Sequence, residues 1–250
     1  MKMVSLCAGI GGIDLAAQWA GIETVLFCEI DRYCQSKLTK NYPGVPIIND
    51  IRSVNKEWIN HYKIGPIGIV AGGIPCQPYS VAGERKGKED DRYLWPEMFR
   101  IVQELRSPWV VVENVAGFID LALDATMADL ESIGYSAGAY CIPACAVGAN
   151  HERQRVFVVA NSSSSGWPEM VLPHYSRERR EPPTAWETIN AGPLRGACNW
   201  QEWETQSGIQ LTIDGVPDGM ARLKAIGNAV NPYQIYPIFK AIMDIEQGNR

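Results

Sequence analysis

Met3-Val4-Ser5-Leu6, followed directly by Cys7-Ala8-Gly9-Ile10-Gly11-Gly12, is the stretch whose reading decides the fold. The first four residues read as a short strand and the glycine-rich run as a turn. Beyond it Ile13, Ala16, Ala17, Trp19 and Ala20 recur at nearly helical spacing, so strand, glycine turn and helix follow one another. Glycines let the backbone approach a ligand closely, and the N–H groups at a helix start point at polar or anionic groups. A glycine turn alone says little. The next strand-like run, Thr24-Val25-Leu26-Phe27-Cys28, ends at Glu29, eighteen residues after Gly11, near the spacing at which an acid grips ribose hydroxyls. A nucleoside cofactor is expected, and the local pattern leaves both NAD and S-adenosylmethionine open.

From this start, short apolar runs alternate with helical patterns up to about residue 160. Helices are predicted over 31–42, 93–105 and 119–133, and strand-like runs at Pro46-Ile47-Ile48, 67–71, 109–112 and 156–160. The alternation predicts an α/β fold, a doubly wound and mostly parallel sheet covered on both faces. The pattern stops at Asn161-Ser162-Ser163-Ser164-Ser165-Gly166, which opens a stretch to Gly215 rich in Pro, Trp and Arg with little periodicity. A helix over about 232–245, with Ile235, Ile238, Phe239 and Ile242 on one face, follows. The predicted organisation is one main domain from residues 1–160 and 216–250, with a small irregular region over 161–215.

At 46% hydrophobic and 20% charged, 250 residues are ample for a packed core. Neither a membrane-length apolar stretch nor a signal peptide is found, so a cytoplasmic protein without membrane partners is expected. Seven cysteines, an odd number without paired close spacing, argue for a reducing compartment and against a disulfide framework. Cys141 and Cys145 lack a matching second pair, so no structural metal is expected. A net charge of −5 offers no bulk electrostatic footprint for nucleic acid. Local basic clusters do, at Arg85-Lys86-Gly87-Lys88, at Arg153 with Arg155, and at Arg177 with Arg179 and Arg180.

Gly72-Gly73-Ile74-Pro75-Cys76-Gln77-Pro78-Tyr79-Ser80 sets one cysteine in a Gly/Pro-rich turn after an apolar run. Farther on, Trp109-Val110-Val111-Val112 runs into Glu113-Asn114-Val115, delivering a carboxylate at a strand end. Ligands of open α/β sheets bind beyond the carboxyl ends of the strands, so thiol and carboxylate are expected on one edge. The competing reading of Cys76 is an ordinary small core residue. His151-Glu152-Arg153-Gln154-Arg155 precedes another apolar run, and two arginines two residues apart in an extended segment project the same way. That arrangement suits a polyanion, with ordinary surface arginines as the competing reading.

On these motifs the chain resembles the C5-cytosine DNA methyltransferases, over about residues 1–160 and, through Gly227-Asn228-Ala229-Val230, over 222–246. The resemblance implies S-adenosyl-L-methionine as cofactor and S-adenosyl-L-homocysteine as product. It places the turn from Gly9 through Gly11 and Gly12 at the methionine moiety, Glu29 on the ribose, Asp50 and Ile51 at the adenine, Cys7 on the adenine side, Ala8 and Ile30 elsewhere in the cofactor site, and Asn228 with Ala229 in the methionine pocket. For Glu29 and Asp50, a helix cap or a solvated loop acid is the competing reading. It implies Cys76 as the nucleophile that adds to cytosine C6. Glu113 would be the acid at N3, its pKa raised by burial. Arg155 would meet the cytosine O2, and Arg153 would brace the catalytic loop. Double-stranded DNA is the implied partner, touched by Gln77, Ser80, Arg85 and Lys86 beside the nucleophile. Residues 161–215 match nothing transferable and are expected by position alone to read the target through Arg177, Arg179 and Arg180, with a structural flap whose tryptophans form a small satellite core as the competing reading. A separately acting restriction endonuclease is the protein partner such enzymes imply. Two positions depart from the family: Cys7 stands where Phe is usual, and His151 where Gln is common. An RNA cytosine methyltransferase of the same family and a catalytically silent nucleic-acid-binding relative are the alternatives.

Overall fold

A computed structural model describes residues 1–75, 94–149, 151–162, 225 and 227–248. Lys2–Leu6 (β1), Glu23–Cys28 (β2), Ile47–Ile48 (β3), Ile69–Gly73 (β4), Trp109–Val115 (β5), Ser136–Ile142 (β6) and Arg155–Asn161 (β7) form one sheet in the order β3-β2-β1-β4-β5-β7-β6. Neighbouring strands from β3 across to β5 pair in parallel, whereas β7 runs antiparallel to both β5 and β6. The helices are Gly12–Trp19 (α1), Arg32–Asn41 (α2), Lys56–His61 (α3), Trp95–Leu105 (α4), Phe118–Leu121 (α5), Leu123–Ser132 (α6) and Pro232–Glu246 (α7).

The strand sequences are apolar on both sides because both faces of the sheet are covered. Val4, Leu6, Val70, Val110, Val112, Val156 and Val158 point into one core, with Met98, Ile101 and Val102 of α4 and Leu130 of α6. The alternate residues Met3, Ile69, Ala71, Trp109, Val111, Phe157 and Val159 point into the other, with Ile13, Ala16 and Ala17 of α1 and Ile235, Ile238, Phe239 and Ile242 of α7. This period-two division makes the expected doubly wound α/β sheet. Indole Nε1 of Trp109 donates to Glu246 Oε1 at 2.8 Å, pinning the far end of α7 to β5.

Three features differ from the sequence expectation. The helix expected over 119–133 is two helices, because Ala122, with φ −147° and ψ −10°, leaves the helical region between α5 and α6. Glu113 lies inside β5 rather than past its end, since pairing with β7 continues through Val115. The edge strand β6 was not expected at all: its side chains are half-buried or exposed without a clean alternation.

Asp14, in the first turn of α1, has no solvent exposure, and its carboxylate accepts from Thr24 Oγ1 at 2.9 Å and Ser5 Oγ at 3.1 Å. Burial outweighs these hydrogen bonds and lifts its pKa from 3.8 to about 6. A carboxylate raised in the folded state contributes stability that is complete below its unfolded pKa. That stability is lost as pH rises through about 6. Asp14→Asn keeps the shape, and a hydroxyl can accept as well as donate. The variant should therefore gain roughly 1–3 kcal/mol relative to wild type between pH 5 and pH 8. Chemical denaturation at the two pH values checks this; a pH-independent difference would place the proton elsewhere.

Candidate active site

The strand order reverses direction around β1, which sits between β2 and β4, and a crevice opens beyond the carboxyl ends of such strands. Here it is a cleft of about 610 Å³, walled by the ends of β1, β2, β4 and β5 and by residues 225, 227 and 228. That is ample room for a nucleoside. Because β7 is antiparallel, its first residue, Arg155, arrives at this same edge.

On one side of the cleft Glu29 follows β2 and is buried. Its Oε2 accepts from the Gly9 N–H at 2.7 Å and its Oε1 from the Asp31 N–H at 2.8 Å. Two backbone donors fix the carboxylate, and each oxygen keeps a further lone pair for a ligand hydroxyl. Ile30 beside it is 74% exposed, an apolar surface on the cleft wall. Asp50 and Ile51 also line the cleft, and Asp50 accepts from the Arg52 N–H at 2.9 Å, so it caps the short turn over Ile51–Ser53 as well.

The glycine turn does not face the cleft as a whole. Cys7 and Gly9 line it, whereas Ala8, Gly11 and Gly12 do not. Ala8 is buried against Phe27 and Leu38. Gly11 has φ +90°, a left-handed conformation that favours glycine, and caps α1. A Cβ on Gly12 would sit 2.3 Å from the Val230 carbonyl oxygen, so this glycine serves close packing of the carboxy-terminal segment. Asn228 lines the cleft. Ala229 does not, its carbonyl being turned to Arg153. Cys7, itself at φ 50°, shares the wall with Cys28 and Cys34. Burial pushes the Cys7 thiol well above the usual range and that of Cys28 up to about 12, so both stay protonated and unreactive.

Across the cleft, Glu113 Oε1 and Arg155 Nε lie 2.8 Å apart, both side chains largely shielded from water. The register explains the pair. Arg155 is opposite Val115, and Glu113 is two residues back on the same face, a diagonal neighbour within reach of a long side chain. Burial raises the Glu113 carboxyl to about 7 against the lowering influence of Arg155 and Arg153. The group is thus half protonated near neutrality, which suits a general acid. Gly73, paired with Glu113 in β4, makes the room: a Cβ there would lie 3.1 Å from Glu113 Oε2.

Arg153 and Arg155 do not project together as expected. Arg153 has φ 26°, which turns the backbone, and its Nη2 donates to the carbonyls of Gly227 at 2.8 Å and Ala229 at 2.7 Å. It braces the carboxy-terminal wall of the cleft, while Arg155 serves Glu113. Gly73 beside Glu113, and Gln234 of α7, whose Nε2 donates to the Arg153 carbonyl at 3.0 Å, are contacts that sequence reading did not find. An internal Gly in an apolar strand was the signal for the first, and a polar residue on the apolar face of a helix for the second. Cys76, Gln77, Ser80, Arg85, Lys86, Arg177, Arg179 and Arg180 lie outside the described residues. Pro75, bonded to Cys76, lines the cleft with Glu113. Among the described residues no group of three or more His, Cys, Asp or Glu is arranged to hold a metal ion, and no helix is long and apolar enough to cross a membrane.

The fold is that of the methyltransferases. The Dnmt2 methyltransferase of S. pombe superposes with a TM-score of 0.58 at 17% identity, covering 72% of this chain and 57% of that one. DNMT2 of Spodoptera frugiperda gives 0.56 at 22% identity, covering 67% and 51%. Within that class the chain belongs to the C-5 cytosine-specific DNA methylase family, whose profile matches residues 1–210. It is 35% identical over 177 residues to the type II methyltransferase M.AquIA of Picosynechococcus, covering 64% of this chain and 71% of that protein. It is 32% identical over 191 residues to the type II methyltransferase M2.BsuMI of Bacillus subtilis, covering 73% of this chain and 46% of that protein. The chain thus spans about half the length of that second relative.

Proposed function

We propose that this chain is a DNA (cytosine-5-)-methyltransferase that uses S-adenosyl-L-methionine and acts on a cytosine turned out of the duplex. The observation that carries the reading is the Glu113–Arg155 pair, buried on the same cleft wall as Pro75, the residue before Cys76. The rest of the cleft fits the cofactor. Glu29 offers fixed lone pairs to the ribose, Ile30 an exposed apolar face to the adenine, and Asn228 an amide to the methionine end. When bound there the cofactor supplies an electrophilic methyl group.

Cytosine C5 is a poor nucleophile until something adds at C6. In this reading the Cys76 thiolate adds to C6, while protonated Glu113 gives its proton to N3 and Arg155 holds the O2 of the ring. Electron density from that addition reaches C5, which takes the methyl group. Loss of the C5 proton to solvent then expels Cys76 as a leaving group, and N3 returns its proton to Glu113. Gly73 leaves Glu113 its space, and Arg153 holds the wall at Gly227 and Ala229. Residues 161–215 are the proposed target-reading region, where an arginine among Arg177, Arg179 and Arg180 would contact guanine in the major groove.

Incubation with tritium-labelled S-adenosylmethionine and panels of duplex DNA and RNA, followed by bisulfite mapping, tests the proposal. Label at cytosine in DNA is expected. Label in RNA alone would reassign the substrate, and no label in either polymer would favour a silent nucleic-acid-binding protein.

A further inference from the structure

Gln234 is an oddity of α7. Its neighbours on the buried face are Ile235, Ile238, Phe239 and Ile242, yet its amide is completely buried among them. Both hydrogens of Nε2 are used, towards the carbonyl of Ile142 at 2.6 Å and that of Arg153 at 3.0 Å. Ile142 ends β6 and Arg153 lies two residues before β7, so one side chain ties both ends of the connection between two antiparallel strands. Among the described residues its Oε1 has no hydrogen-bond partner, so there the Nε2 contacts are what offsets the cost of burying the amide. An apolar residue of similar length would fill the space and take these two donors from the part-buried carbonyls of Ile142 and Arg153.

The carbonyl at Arg153 belongs to a residue held at φ 26°, in the left-handed region that a non-glycine residue adopts only when its surroundings impose it. This one turn sends the Arg153 side chain to the carbonyls of Gly227 and Ala229 and, two residues later, delivers Arg155 to Glu113. We propose that Gln234 is a positioning residue, clamping the turn at Arg153 so that the cofactor-side wall at 227–229 and the Glu113–Arg155 pair hold one geometry. The inference rests on the methyltransferase reading for its bearing on catalysis, but not for its geometry.

The charged groups facing Glu113 among the described residues are Arg155 of β7 and Arg153 before it, and paired β4 presents only Gly73. Release of the turn moves the guanidinium groups from Glu113 and weakens their lowering influence, so its midpoint rises above about 7.

The test uses the full chain as wild type, Gln234→Met and Gln234→His, with glutamate labelled at the side-chain carboxyl by ¹³C. The Glu113 resonance is assigned by its loss in Glu113→Gln. Gln234→Met should raise the Glu113 midpoint by about one unit and lower kcat by up to about 10²-fold, the scale of a 1 Å misplacement. Gln234→His, which can supply one N–H in place of two, should fall between Met and wild type. A residue that only fills the core would lower the melting temperature and leave the Glu113 titration and kcat where they were; that result overturns the proposal. The wild-type protein carries the same test without a core substitution. The Gln234 side-chain amide resonances should titrate with the Glu113 midpoint and stop doing so in Glu113→Gln, and an amide indifferent to Glu113 would overturn the clamp even if neither Gln234 variant folds. None of these titrations needs turnover. A wild-type protein that methylates no polymer would therefore refute the activity while the clamp is still judged by Glu113.

Discussion

Cys76→Ala should reduce methyl transfer to background while S-adenosylmethionine affinity stays nearly intact. The proposed role of the thiol is addition to C6 of the base, and the groups assigned to the cofactor are other residues, Glu29, Ile30, Asp50 and Asn228 of the cleft. Isothermal titration of cofactor into the variant measures the second half of that statement, and filter-bound tritium the first. A trap isolates the covalent step. DNA carrying 5-fluorocytosine at the target cannot lose its C5 substituent, so the elimination that frees the enzyme is blocked. Wild type with cofactor should give an adduct that survives denaturant, and Cys76→Ala should give none. An adduct persisting in the variant would mean that a different cysteine attacks. Cys7 and Cys28 are poor candidates, since burial holds both thiols protonated.

Glu113→Gln should lower turnover by about 10²- to 10⁴-fold, the range of general acid–base contributions, with far less effect on DNA affinity. Glutamine retains the outline and can still meet Arg155, but has no carboxylic proton for N3. The pH dependence separates this from a loss of shape. Burial raises the Glu113 midpoint to about 7 and its protonated form is the working one, so kcat/KM of the wild type should fall at high pH, beyond the higher of the Glu113 and Cys76 midpoints. The thiolate requirement at Cys76 opposes it at lower pH, giving a bell. In Glu113→Gln the descending limb should vanish together with the rate. Retention of both the rate and the limb in the variant would remove Glu113 from the acid role.

The alternation of apolar runs with helical spacing was enough to anticipate the doubly wound sheet, because strands buried on both faces announce themselves as runs such as Val110-Val111-Val112. The edge strand β6 carried no such run, since an edge half open to solvent has little use for one. The meeting of strand-end carboxylates was legible, for Glu29, Asp50 and Glu113 do line one cleft. The site was not legible where a residue matters through a neighbour distant in the chain. Gly12 reads as part of a ligand-facing turn until Val230 is seen against it. Arg153 and Arg155 read as a matched pair until φ 26° at the first sends them to different partners. Gln234 reads as a blemish on an amphipathic helix until two carbonyls from another part of the chain are found on its amide.

The packing of Gly12 against Val230 has a consequence for synthesis on the ribosome. The glycine turn emerges well before the segment that packs against it, since Gly12 precedes Val230 by most of the sheet. Between β7 and that segment the ribosome must add the residues from 162 to 230, several seconds of translation at about 5–20 residues per second. Throughout that interval Met3, Ile13, Ile69, Trp109 and Val111 lack the cover that Ile235, Ile238, Phe239 and Ile242 later provide. A nascent chain stalled after β7 should therefore expose a sticky apolar face and recruit a holding chaperone, and release of α7 from the exit tunnel should dismiss it.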